Sequence, residues 1–205
     1  MRTILLTLCL FMGTILSAQN NVLIEIENAN AAYKVIMGDF VRTQTNVAKG
    51  TSIKADGTLY IVGEDQMAQY YKAPSTDLLI INGNDFYMIR GKKTNKFNTE
   101  KNKTMRSLRN TLLYCVHGKP MVLATENGAE ITAEKKANEY EVVLISTKKT
   151  ARGYAKIVLT YDLKSKLLTK MQMDEYNGNS TLYEMNNLKT NGNIDAKVFG
   201  IPEKK

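Results

Sequence analysis

The run Asp77-Leu78-Leu79-Ile80-Ile81-Asn82-Gly83-Asn84-Asp85-Phe86-Tyr87-Met88-Ile89 decides the fold class. Two short apolar stretches flank an Asn-Gly pair, and Asn-Gly accepts the positive φ angles of a tight β-hairpin. The pattern predicts strand, turn, strand. Upstream, Gln66 to Tyr71 reads as a strand that stops before Pro74, and Gly57 to Val62 and Phe40 to Val47 read as two more. Downstream, strands are expected over Tyr140 to Thr147, Tyr154 to Tyr161, Leu167 to Tyr176 and Ser180 to Leu188, the last pair joined by Asn177-Gly178-Asn179. Helical spacing appears twice. Leu23, Ile26, Ala29, Tyr33, Ile36 and Met37 predict a helix over 22–38 with Gly38 as its stop. Met105, Leu108, Leu112, Cys115 and Val116 predict another over 104–118, ended by Gly118-Lys119-Pro120. About eight or nine strands in hairpin-joined runs, interrupted by two or three helices, give an α+β fold built on an antiparallel sheet. A sheet of that many strands must curl, into a closed barrel or into an unclosed half-barrel whose apolar concave face is covered by the helices. Leu78 to Ile81 and Val142 to Ile145 are apolar on both faces, which requires local cover on both sides.

The 205 residues are 43% hydrophobic, with 28 Lys+Arg, 20 Asp+Glu and 2 Cys, which fits one globular domain. A chain this apolar is not globally disordered, and two cysteines make no disulfide scaffold. Residues 1–18 differ from the rest. Arg2 is their only charge, Ile4 to Leu16 is almost wholly apolar, and Ser17-Ala18-Gln19 ends the run. This reads as a secretory signal peptide cleaved after Ala18, too short in its apolar core for the ~20 residues of a spanning helix. Cys9 lies mid-run between Leu8 and Leu10, which leaves no leader ahead of a lipidated cysteine. The expected product is a single exported domain, residues 19–205.

Catalytic signatures are absent from the sequence: it carries no phosphate loop, no metal-spaced His/Cys set and no nucleophile elbow, so no catalytic residue, metal or cofactor is expected. Cys115 and His117, two apart on a helix, point roughly 200° apart and cannot form a thiolate–imidazole pair there. Cys115 reads as a core residue and His117 as a surface residue favoured by the helix C-terminus. Glu64-Asp65 reads as a turn and Asp174-Glu175 as a strand end. Charge is more informative. Arg90, Lys92, Lys93, Lys96, Lys101, Lys103, Arg106 and Arg109 lie in one segment with a single acid, Glu100. That segment reads either as a solvated connection or as a surface for docking on an acidic partner or lipid head groups. Nucleic acid is not an expected partner, since Phe97 is the segment's one stacking aromatic.

Several runs resemble the LolA family, the periplasmic carriers of outer-membrane lipoproteins. In the C-terminal third these are Tyr161-Asp162, Leu167, Met171, Asp174, Gly178-Asn179-Ser180-Thr181, Asn186 to Leu188, Asn191, Ile194-Asp195, Phe199 and Pro202. Asp39-Phe40, Gly57-Thr58-Leu59-Tyr60, Met67 to Pro74 and Asn82-Gly83 add to it. The resemblance implies an unclosed eleven-stranded barrel lidded by helices, and a monomeric, non-enzymatic carrier of acylated lipoproteins or another amphiphilic cargo in the periplasm of a Gram-negative bacterium. An inner-membrane lipoprotein-releasing transporter and an outer-membrane acceptor are the implied partners. Cargo contact is expected on Ile36, Leu59, Ile61, Met67, Ile81, Met88, Ile89, Leu108, Leu112, Leu144, Leu159 and Met173. Ala68-Gln69 stands where the family carries Arg-Trp, so the arginine that ties the family's lid has no counterpart here. Two rivals remain. An extracytoplasmic interaction module would show an exposed edge strand and no apolar cavity, whereas a polysaccharide-cleaving enzyme would show a polar cleft with two carboxylates.

Overall fold

The computed structural model describes residues 21–148 and 153–201. The signal peptide expected over residues 1–18, with Cys9, lies outside the described residues. A helix, α1, occupies residues 21–31 and leads into six strands: β1 (Val35–Asn46), β2 (Thr51–Val62), β3 (Gln66–Tyr71), β4 (Leu78–Asn82), β5 (Asp85–Arg90) and β6 (Lys93–Asn98). Two helices, α2 (Lys103–Val116) and α3 (Pro120–Asn127), separate these from β7 (Ala129–Lys135), β8 (Glu139–Ser146), β9 (Tyr154–Asp162), β10 (Leu168–Glu175) and β11 (Ser180–Thr190). One 11-stranded sheet results, in the order β6-β5-β4-β3-β2-β1-β11-β10-β9-β8-β7. All pairs are antiparallel, and the first and last strands meet in the middle, Phe40 opposite Met185 and Val41 opposite Glu184. The sheet ends on β6 and β7 and does not close. It is the half-barrel that the strand runs predict.

Two apolar clusters follow from the period of two along each strand. On the concave face Phe40, Leu59, Ile61, Met67, Ile81, Phe86, Val142, Leu159 and Tyr161 pack with Ile26 of α1, Leu112 and Leu113 of α2 and Leu123 of α3. On the convex face Ala68, Ile80, Tyr87 and Ile89 pack beneath Phe199, held by a short 3-10 helix over Ala196–Phe199. The Tyr70 hydroxyl donates to the Val198 carbonyl at 2.8 Å and pins that segment down. Leu78 to Ile81 therefore has the double cover its composition requires. Val142 to Ile145 does not, since Ile145 is 51% exposed.

The first helix ends earlier than its spacing predicts, at residue 31. Val35, Ile36 and Met37 leave it for β1, where Val35 and Ile36 pair with Val62 and Ile61. β-Branched residues fit that pleated surface better than a helix, and cross-strand burial overrides the 3.6 pattern. Gly38 is accordingly no helix stop. It falls at a bulge between Met37 and Asp39, with the Asn186 carbonyl 2.8 Å from where a Cβ would stand. The Asn82-Gly83 hairpin is shifted by one: Asn82 pairs with Asp85, and Gly83 with Asn84 makes the turn. Only Gly83 of that pair has positive φ, at 58°, the place a type II′ turn gives to glycine. Pro120 opens a helix instead of ending one, because proline is pre-organised for the first helical position. The polar β6 and the weakly apolar β7 are edge strands, where lysine and glutamate are tolerated and discourage edge-to-edge pairing.

Candidate functional site

The concave interior gathers side chains that lie far apart in the chain. Ile36, Leu59, Ile61, Met67, Ile81, Leu112, Leu144, Leu159 and Met173 are buried in its one cluster, and Met88 and Leu108 pack half-buried against it. Ile89 is a correction. It faces the convex side with Tyr87, because alternation along β5 sends Phe86 and Met88 inward and its neighbours outward. Sequence reasoning missed Phe40, Phe86, Tyr140 and Tyr161, all fully buried on the concave side. Each sits at an inward register position, a signal that existed but needed the register to be read.

Where α2 ends over the floor, Ile36, Leu59, Ile61, Val116, Leu167, Leu168, Met185 and Leu188 bound an apolar slot of about 10 Å³. That is the scale of a single water, so an acyl chain enters there only if the helices move. Nearer the β8–β9 end, a wider cavity of about 220 Å³ lies between Ser107 of α2 and the strands, with Leu144, Tyr154 and Ile157 below and Lys148 and Lys156 at its rim.

The helices are tied down by polar contacts at their margins. The Tyr161 hydroxyl donates to the Cys115 carbonyl at 2.8 Å, a buried bond from β9 to the last turn of α2. Arg109 Nε donates to the Gly83 carbonyl at 2.8 Å, joining α2 to the β4–β5 turn. Lys119 Nζ meets Glu64 Oε1 at 2.8 Å and holds that carboxyl below its usual range. Asn30 Nδ2 donates to the Lys166 carbonyl at 2.7 Å, and the Tyr140 hydroxyl meets Glu25 at 2.5 Å, which fastens α1 to β8 and the β9–β10 turn. Glu126 of α3 accepts from Asn110 and Tyr114 of α2, so these two helices form one unit. Gln69 is 3% exposed on the concave face and accepts from the Tyr71 hydroxyl at 3.4 Å. Ala68 is buried on the convex side. The lid thus has ties of its own at positions other than 68.

His117 is a second correction. It caps α2, is 7% exposed, and has a buried Nε2 without a partner among the described residues. Burial pushes its imidazole down to about 4, with the Lys119 charge adding to the effect. A neutral ring gains nothing from the helix dipole. Cys115 is fully buried in the core, and burial pushes its thiol up.

The basic segment is divided by the structure. Arg106 Nε donates to the Thr99 carbonyl at 2.9 Å and its Nη2 to the Glu100 carbonyl, which with Arg109 commits two of the eight to local structure. Lys96 meets Asp85 at 2.8 Å across the β5–β6 pair. Arg90, Lys92 and Lys93 are exposed at the β5–β6 turn, and Lys101 and Lys103 are exposed where α2 begins. The segment therefore holds a paired edge strand, β6, and the first turns of α2 capped by Asn102, with exposed cations at the turns on either side of β6.

What the arrangement offers chemically is a curved, apolar surface under a cover of three helices. Among the described residues, no three His, Cys, Asp or Glu side chains stand together to hold a metal ion.

The family model described as outer membrane lipoprotein carrier protein LolA matches residues 31–202. No curated protein matches the chain. Among solved structures, a DUF1329 family protein from Desulfovibrio piger superposes with a TM-score of 0.50 at 10% identity, covering 90% of this chain and 97% of that one. A LolA superfamily protein from Nitrosomonas europaea gives 0.45 at 9% identity, with 89% and 97% covered. The lipoprotein LppX of Mycobacterium tuberculosis gives 0.42 at 14% identity, with 86% and 99% covered. At such identities the first of these supports the fold alone. The family match supports a role in binding lipid, lipoprotein or protein, and it points to a place outside the cytoplasm. With the match running from the end of α1 through the last strand and the C-terminal segment, the chain belongs to the outer membrane lipoprotein carrier protein LolA family.

Proposed function

We propose that this protein is a periplasmic, non-enzymatic carrier that shelters the acyl chains of lipoproteins, or of a similar amphiphile, during transit to the outer membrane. One observation carries the reading: a continuous apolar interior lies beneath helices that pack on it and are tied to the strands by a few polar contacts. Each CH₂ group taken from a bilayer exposes apolar surface worth roughly 0.8 kcal/mol, so a soluble carrier must offer a dry surface of comparable quality. Leu59, Ile61, Met67, Ile81, Leu144, Leu159 and Met173 form its strand wall, and Leu108 and Leu112 move with the lid. The cavity beside Tyr154 and Ile157 is the natural entry, since its apolar floor runs on into the core. The reading includes export by a signal peptide over residues 1–18. Exposed Arg90, Lys92 and Lys93 are the docking contribution of the basic segment, toward an acidic transporter surface or head groups.

A fluorescent acyl probe tests this. Carriage predicts saturable uptake at one probe per chain, with emission shielded from an aqueous quencher. Emission that rises without saturation, or not at all, removes the carrier reading.

A second reading has one observation in its favour. β2 runs past β3, whose last paired residue is Tyr71 opposite Gly57, and so leaves the outer edge of residues 51–55 unpaired, with Ile53 61% exposed. An interaction module would add a partner strand there, and would do so with no acyl uptake.

A further inference from the structure

The concave face holds one cation that its apolar surroundings do not explain. Arg42 follows Phe40 on the inward side of β1 and sits opposite Ala55 in β2 and Tyr183 in β11. Its guanidinium carbon lies 4.6 Å from the centroid of the Tyr71 ring. Phe40 packs edge-on against Tyr71 at 5.0 Å and tilted against Tyr183 at 6.1 Å, so three aromatic rings gather about the base of the arginine. Its Nε is buried with no hydrogen-bond partner among the described residues.

Neighbouring carboxylates do not serve it. Asp39, three residues before it on β1, and Asp56, on the adjacent β2, are engaged by Lys72 at 3.2 and 4.0 Å. Asp77, which follows β3, makes no ion pair among the described residues. A half-buried guanidinium without a counter-charge is unfavourable. Ring stacking offsets part of that cost, yet it satisfies none of the five N–H donors.

Position adds the second half. Arg42 lies past Gly57, the last β2 residue paired with β3, and therefore at the end of the interior where the β1–β2 hairpin projects. Inward from it on the same wall come Phe40, Leu59 and Ile61, all buried. A cation at the end of an apolar interior has the polarity of an amphiphile reversed in charge. We propose that Arg42, stacked on Tyr71, is the binding site for the anionic head of an amphiphilic cargo, a carboxylate or phosphate, whose single acyl chain runs inward beneath the lid. The inference deepens the carrier reading and rests on it. Uncharged esters and amides bring no counter-charge to Arg42, whereas a fatty acid or a lysophospholipid does, and the planar guanidinium matches either head.

Matched ligands test it on the purified protein, by displacement of an uncharged acyl probe below each ligand's aggregation concentration. Oleate is compared with oleyl alcohol, and lysophosphatidate with monoolein. The expected result is roughly a tenfold or greater preference for the charged member of at least one pair, which also tells carboxylate from phosphate. Arg42→Met is expected to abolish the preference while uncharged ligands still bind, and Arg42→Lys to keep part of it. Equal binding of both members, or a preference unchanged in Arg42→Met, overturns the assignment and leaves the carrier reading standing. Failure of all four ligands to displace a bound probe overturns the assignment alone, whereas failure of the probe and of all four ligands to bind overturns both. If Arg42→Met does not fold, as judged by circular dichroism, the wild-type pairs and Arg42→Lys still decide.

Discussion

His117 shows how one side chain couples the lid to pH. Its folded value near 4 lies below the ordinary 6.5, so the folded protein resists a proton that the unfolded chain accepts. Lys119 and Glu64 face it with opposite signs, and burial outweighs both. The sign is fixed by linkage: stability from this site is complete above about 6.5 and is lost as pH falls toward 4, by up to about 3 kcal/mol. Urea melts between pH 7 and 4 should show that decline, and His117→Leu should flatten it. An equally steep decline in the variant would remove the assignment. Gly57 makes a different prediction. An added Cβ would stand 2.2 Å from the Tyr70 carbonyl and 2.8 Å from the Phe40 ring, so backbone as well as side chain must shift. Gly57→Ala is expected to lose about 2–3 kcal/mol, read as a fall in the thermal midpoint. Neither role was legible beforehand. His117 looked like a surface cap because its burial comes from helix packing, and Gly57 looked like an ordinary strand start because the clash belongs to neighbouring strands.

At the scale of elements, long apolar strands were readable and polar edges were not. Gln66 to Tyr71 reads with the same limits from sequence and structure, since Pro74 and the apolar pattern agree. β6 escaped because Lys93-Thr-Asn-Lys-Phe-Asn98 carries one large apolar residue, and pairing with β5 is what makes it a strand. β1 was cut short because helical spacing and β-branching competed over Val35 to Met37. The lid helices make the element-scale prediction. Tyr161→Phe leaves the Cys115 carbonyl without its buried donor and should cost about 1–2 kcal/mol. Amide exchange near the end of α2 should quicken, and acyl-probe uptake should become faster. Lys119→Met, which breaks a pair whose glutamate is 81% exposed, should change stability by less than about 1 kcal/mol. If the lysine variant opens the lid more than the tyrosine variant, the lid is held at its rim and not at its buried end.

For the whole molecule, the antiparallel class, the curl of the sheet and the helix cover followed from hairpin-joined strands, and the family followed from short motifs in the last third. Periodicity counted only eight or nine strands, because the polar edges carry little apolar pattern, whereas the resemblance implied the eleven that the sheet has. The shared wall, whose register no periodicity supplies, was not legible. Ile89 went to the wrong face for that reason alone, whereas Met67, Ile81 and Leu159 reached the interior through strands with clear alternation. The central claim is that this interior carries an apolar cargo. Native mass spectrometry of the protein purified from its producing cells, with extraction of whatever travels with it, tests that claim most directly. The account predicts a bound acylated species at one per chain, released when the lid is unfolded. Protein that emerges bare, and that takes up no acyl probe afterwards, would contradict it.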